Sequence, residues 1–137
     1  MDRRRMKTLT YEQWVSQFLK NAARHLNLAG WTINTEFSDE EKGASYAEAS
    51  VNSSYQFITV HVYAPAKRDF ESGKTKVLVM ALLHELVHTF IDPFHDFAEP
   101  HLSEVTQPLF MNIVEQQTQK LTMVLLKTLP ESIIPKR

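Results

Sequence analysis

His84-Glu85-Leu86-Val87-His88 places two imidazoles four residues apart, with a carboxylate directly after the first. On a helix, residues i and i+4 stand one above the other on the same face. Both rings can then reach one divalent cation, at about 2.0–2.1 Å if that cation is zinc. Glu85, one step round from His84, can touch a water on the cation without being a ligand. A cation so placed acidifies the water, and a neighbouring carboxylate can take its proton and pass it to a leaving amine. The pattern points to metal-assisted hydrolysis of an amide. The rival reading is an amphipathic helix with two incidental histidines, which leaves a glutamate between two histidines beside the core unexplained.

Such a site needs a third protein ligand and one open position. The long His-only pattern requires a Gly three residues and a His six residues after the second His. Those positions are Ile91 and Phe94, so that pattern fails. His95 and His101, in a segment read as a loop, can still fold back. Glu115 follows the apolar Val114 and shares a helix flank with Met111, Thr118 and Thr122, so it can point at a helix packed alongside. It is the favoured third ligand. Glu104, at the entry of the same helix, is the second carboxylate choice.

The elements that must position these groups read helix, strands, helix, helix. Residues 10–28 form the first helix: Thr10 and Gln13 have capping-box spacing, Trp14, Phe18 and Ala22 recur at helical period, and Gly30 closes it. His25, beside that stripe, reads as a packed or surface histidine. Residues 31–37, 44–51 and 55–64 read as three strands of an antiparallel meander, with a hairpin turn at Asn52-Ser53-Ser54. Ile58, Val60 and Val62 share one face of the third strand, which Pro65 ends. The motif helix runs from about Ser72 to Ile91, with Val77, Met80, Leu83, Val87 and Phe90 as its stripe, and Pro93 forces its end near Asp92. Residues 92–103 read as an irregular loop. The last helix runs from about Glu104 to Leu129 and buries Val114, Leu121, Val124 and Leu125. This order predicts an α+β fold with helices packed on a small sheet, the motif helix lying behind strand 55–64. If that strand is an edge, an extended peptide can add to it.

Length and composition bound the remaining classes. The 137 residues suit one domain, with 1–8 as a basic terminus and 130–137 as a tail. No cysteine is present, which excludes disulfides, Cys-ligated zinc and a Cys nucleophile, so any metal is held by His and carboxylates. The net charge of −1 gives no nucleic-acid footprint. The one basic run, Arg3-Arg4-Arg5 with Lys7, reads as a solvated terminus, its sharper alternative being a contact to phosphate or an acidic partner. There is no apolar leader, and no run approaches the roughly 20 apolar residues that span a membrane. A cytoplasmic protein without membrane partners is the expectation.

His84-Glu85-Leu86-Val87-His88, followed by a helix bearing Val114-Glu115, resembles the gluzincin class of zinc peptidases. The order of elements from Trp31 to Leu126 is similar to the minigluzincins and to small metallopeptidase-like proteins of phages and prophages. That resemblance implies a zincin-like fold, a zinc ion held by His84, His88 and Glu115, Glu85 as general base, and a peptide or protein substrate. Larger gluzincins place an acidic residue four after the ligand Glu, where it orients a ligand His; here that residue is Gln119. They also hold the oxyanion with a His or Tyr, for which Tyr63, His95 and His101 are the candidates. The competing function is a non-catalytic binding or regulatory protein that uses the metal as a staple, with His95 or His101 closing the open position.

Overall fold

The computed structural model describes residues 8–137; the basic run Arg3-Arg4-Arg5 and Lys7 lie outside the described residues. Helix α1 (Tyr11–His25) opens with the Thr10/Gln13 capping box, in which each side chain bonds the other's backbone N–H. It ends earlier than Gly30 predicts. Asn27 takes the left-handed conformation with φ 61° and turns the chain, leaving His25 exposed. Asn tolerates that region because its short polar side chain bonds locally.

Strands β1 (Thr32–Phe37), β2 (Ala47–Asn52) and β3 (Phe57–Val62) form one sheet in the order β1-β3-β2. The hairpin between β2 and β3 forms where Asn52-Ser53-Ser54 predicts it, with Gln56 at φ 50°. The sheet is mixed, not the expected antiparallel meander, because β1 pairs parallel to β3. The physical reason is burial. Ile58, Val60 and Val62 are almost fully buried, and a central strand can hide such residues while both of its edges are paired. A meander would centre residues 47–52 instead, with Glu48, Ser50 and Asn52 among them. β3 is therefore central, β1 and β2 are the edges, and among the described residues no strand pairs with the outer side of β2.

Helix α2 (Ala64–Glu71) is an element that sequence reading missed. β3 already ends at Val62, and Pro65 falls in the first turn of α2, where proline is favoured because no N–H is needed. Gly73, at φ 78°, then reverses the chain into α3 (Thr75–Ala98). This helix does not stop at Asp92: it runs through Pro93 and continues as a 3-10 turn at Glu99–His101, so no irregular loop occupies 92–98. The proline is bracketed by a His88–Asp92 side-chain bond before it and by the His95 ring stacked on Phe110 beyond it. These contacts hold the helix across one missing backbone bond.

The core joins Trp14, Phe18 and Leu19 of α1, the inward residues of β3, and Leu78, Leu82 and Leu86 of α3. That α3 stripe is rotated from the predicted one. Leu83 and Val87 are buried as expected, but Val77 and Phe90 are exposed. A helix that is apolar nearly all round does not reveal its buried face by period. Contrary to the expectation from the sequence, residues Thr75–His101 form one helical stretch long and apolar enough, by length and composition, to cross a bilayer. In the fold they pack against α1, α2, β2 and α4.

Helix α4 (Thr106–Thr128) packs on α3 and buries Val114, Thr118 and Thr122 at four-residue spacing. Leu121 and Leu125 are only partly buried, and Val124, expected inside, is 59% exposed. The two threonine hydroxyls donate to the carbonyls of Val114 and Thr118, each at 2.7 Å, which satisfies them internally. Small side chains on that flank let α4 approach α3 closely. Residues 130–137, expected to trail, instead dock on α1: Trp14 Nε1 donates to the Pro135 carbonyl at 2.8 Å, and Ile133 is buried.

Candidate metal centre

α3 and α4 bring His84, His88 and Glu115 together. The two rings sit 5.1 Å apart, nearly perpendicular, one turn apart on the helix. Their Nε2 atoms converge on one carboxylate: His84 Nε2 is 3.3 Å from Glu115 Oε2, and His88 Nε2 is 3.3 Å from Oε1. Glu115 is delivered by the Thr118/Thr122 flank, the close-packing face of α4.

The outer nitrogens fix what the inner ones can do. His84 Nδ1–H donates to Gln119 Oε1 at 2.9 Å, and His88 Nδ1–H donates to Asp92 Oδ1 at 2.9 Å. A neutral imidazole with its proton on Nδ1 presents a lone pair at Nε2. Two such lone pairs and a carboxylate then face one another, an arrangement that calls for a cation between them. The separations agree. Two ligand atoms bound at about 2.0–2.1 Å in tetrahedral arrangement lie roughly 3.3 Å apart, whereas a charge-assisted N–H···O bond is shorter, about 2.7–2.9 Å. The group His84, His88 and Glu115 could thus hold a metal ion.

Gln119, four residues after Glu115, orients His84 through its amide oxygen. Asp92 does this for His88, a role hidden in the sequence because Pro93 locally favours a helix end there. The signal was present as an Asp four residues after a ligand His. Burial alone disfavours protonation of His88, but the Asp92 hydrogen bond and charge, with Glu85 and Glu115 nearby, outweigh it and leave the pKa above the ordinary value. Replacing Asp92 or Gln119 with Ala should weaken divalent-metal binding about 10- to 100-fold each while leaving one metal per chain at saturation. Competition against a chromogenic chelator measures this, and unchanged affinity in both variants would show that these bonds are incidental.

Glu85 is only 7% exposed. Burial, reinforced by the negative charges of Glu115, Glu48 and Asp92 and partly opposed by His88, pushes its carboxyl up to about 8. A cation beside it would favour the ionised form again. Such a group is poised to exchange protons near neutrality.

In front of these residues lies a cleft of about 650 Å³. Ala47, Glu48 and Ala49 of the β2 edge form one wall; Glu85, the two ligand histidines and Asp92 form another. Glu48 is a second residue that sequence reading missed. It accepts hydrogen bonds from Lys42 Nζ at 2.8 Å and from Tyr63 Oη at 3.0 Å, which hold its carboxyl below the usual range.

No family model, curated protein or solved structure matches this chain.

The other ligand candidates fall elsewhere. His95 lines the cleft but groups with Asp96 and Glu99 rather than with His84 and His88. His101 and Glu104 belong to neither group. Of the three candidates for holding an oxyanion, Tyr63 is buried with its hydroxyl donated to Glu48, His101 is not a cleft residue, and His95 alone lines the cleft. Among the described residues, nothing closes the metal group with a fourth ligand.

Proposed function

We propose that this chain is a zincin-like, zinc-dependent metallopeptidase that hydrolyses peptide bonds with Glu85 as general base. The observation that carries the reading is the convergence of His84 Nε2, His88 Nε2 and Glu115 beside a buried glutamate, at the wall of an open cleft. Two imidazoles and one carboxylate with a free side suit a catalytic zinc better than a structural one, whose four ligands come from the protein. A zinc ion there would supply Lewis acidity and acidify water.

The protein's own groups do the rest. Asp92 and Gln119 keep the ligand rings turned inward. Glu85, drawn toward ionisation by the cation, accepts a proton from water in the cleft and returns it to the departing amine. The free edge of β2, not strand β3, offers backbone groups to an extended substrate, which would add as a further strand and lie across the cleft.

The test is cleavage of an unstructured protein by the zinc-loaded chain. Activity should vanish with a chelator and return with about one equivalent of zinc. A chain that binds zinc stoichiometrically and cleaves nothing across a broad peptide library would instead be a metal-stabilised binding protein.

A further inference from the structure

The cleft does not end at the metal group. A second cavity, at its β2-entry end, is lined by Ser45, Tyr46 and Ala47 and shares His84 and Glu85 with it. A third, at the far end, is lined by Val51, Asn52, Ser53 and Ser54 and shares Asp96 with it. Through these shared residues the three adjoin as a trench beside β2. A six-residue strand at about 3.3 Å per residue spans roughly 20 Å, room for an extended segment of comparable length.

The trench has a sign. Its central part is lined by five carboxylates, those of Glu48, Glu85, Asp92, Asp96 and Glu115, and by no Lys or Arg. A bound dication and Lys42, which pairs with Glu48 from outside the lining, still leave it negative by about two charges. Four of the five are committed: Glu115 to the metal group, Asp92 to His88, Glu48 to Lys42 and Tyr63, and Glu85 to proton transfer. Asp96 is not. Among the described residues its one ion-pair contact within 4 Å is the His95 ring at 3.5 Å, a loose contact within the group it forms with His95 and Glu99, and Asp96 lines both the central cleft and the far cavity. Phe97, 78% exposed, lines that far cavity beside it.

We infer that the substrate is a basic polypeptide, and that Asp96 is a specificity-determining residue that takes a Lys or Arg side chain a few residues from the scissile bond, with its methylenes laid on Phe97. This rests on the peptidase reading. A long cationic side chain fits both neighbours: the aliphatic stem covers an aromatic surface, the charged head meets the carboxylate, and stacking on the ring adds to both.

The test uses zinc-loaded protein and a set of otherwise identical peptides with Arg, Gln or Glu scanned across the positions flanking the cleavage site. At one position Arg should raise kcat/KM about tenfold over Gln, with Glu poorer still, and the preference should shrink with added salt. Asp96→Asn should reduce the Arg preference to near unity at that position alone, and Asp96→Lys should invert it toward Glu. A flat profile in the wild type, or a preference that survives in Asp96→Lys, overturns the assignment. Binding of the same uncleaved peptides to zinc-loaded Glu85→Gln keeps the two readings separable. If Arg peptides bind preferentially there, and through Asp96, while the wild type cleaves nothing, the peptidase reading fails and the basic-ligand site stands. If peptides are cleaved without charge preference, the reverse holds.

Discussion

Replacing Glu85 with Gln will abolish hydrolysis while leaving the metal in place, with kcat/KM falling on the order of 10³-fold. Gln keeps the size of the side chain and its acceptor oxygen but cannot take a proton. The proposed ligands His84, His88 and Glu115 are untouched, so zinc content should remain at about one per chain. The same substitution has a second, opposite consequence for the metal-free protein. Burial holds the Glu85 carboxyl near 8 in the fold, above the ordinary 4.5 of an exposed glutamate. Between those values the unfolded chain has lost a proton that the native state retains. The stability from this group is therefore fully present below about pH 4.5 and declines as pH rises through about 8. His88, whose folded pKa is also raised, acts in the same direction. In chelator, wild-type protein should lose stability from pH 5 to pH 9, and Glu85→Gln should lose markedly less and be the more stable of the two at pH 9. Denaturant titrations at the two pH values measure this, alongside peptide cleavage by the zinc-loaded forms. Wild-type turnover in Glu85→Gln would remove Glu85 from the chemistry.

Zinc should also be a large part of what holds α4 onto α3. Among the described elements α4 makes its main contacts with α3 alone, and its outer face carries Val105, Leu109, Ile113 and Val124 in the open. Glu115 faces both His84 and His88 from this helix, and Gln119 adds a second bond to His84. A ligand that binds only the folded state stabilises it by about 2.7 kcal/mol at 100 times its dissociation constant. For a domain of this size that is a rise in Tm on the order of 10 °C. His88→Ala should abolish that rise and most of the bound zinc, because it removes one of three ligands and leaves Glu115 without a partner on that side. Glu115→Gln should do so nearly as completely. Scanning calorimetry with and without zinc, together with metal analysis, decides it. A wild-type protein whose Tm ignores zinc would sink the metal centre itself, and the peptidase proposal with it.

How much of this was legible in the sequence depends on range. The capping box at Thr10 and Gln13, the hairpin at Asn52-Ser53-Ser54 and the His84/His88 pair all depend on residues within four positions of one another. Local sterics and helical geometry settle such features, so they could be read directly. Glu115 was legible less directly, through the small residues Thr118 and Thr122 that share its flank.

What only the tertiary structure decided is everything in which a local preference competes with a distant contact. Pro93 locally favours a helix end, yet His88 bonding Asp92 and His95 stacking on Phe110 carry the helix through it, and that places Asp92 and Asp96 at the cleft. β3 is the most apolar strand, and pairing it at both edges put it in the centre and left β2 as the edge facing the metal group. The near-uniform apolarity of α3 left its buried face open until the sheet and α4 chose it. Short-range geometry is fixed by covalent structure and a few dihedral angles, whereas strand order and helix facing are set by how apolar surface is shared among all elements at once.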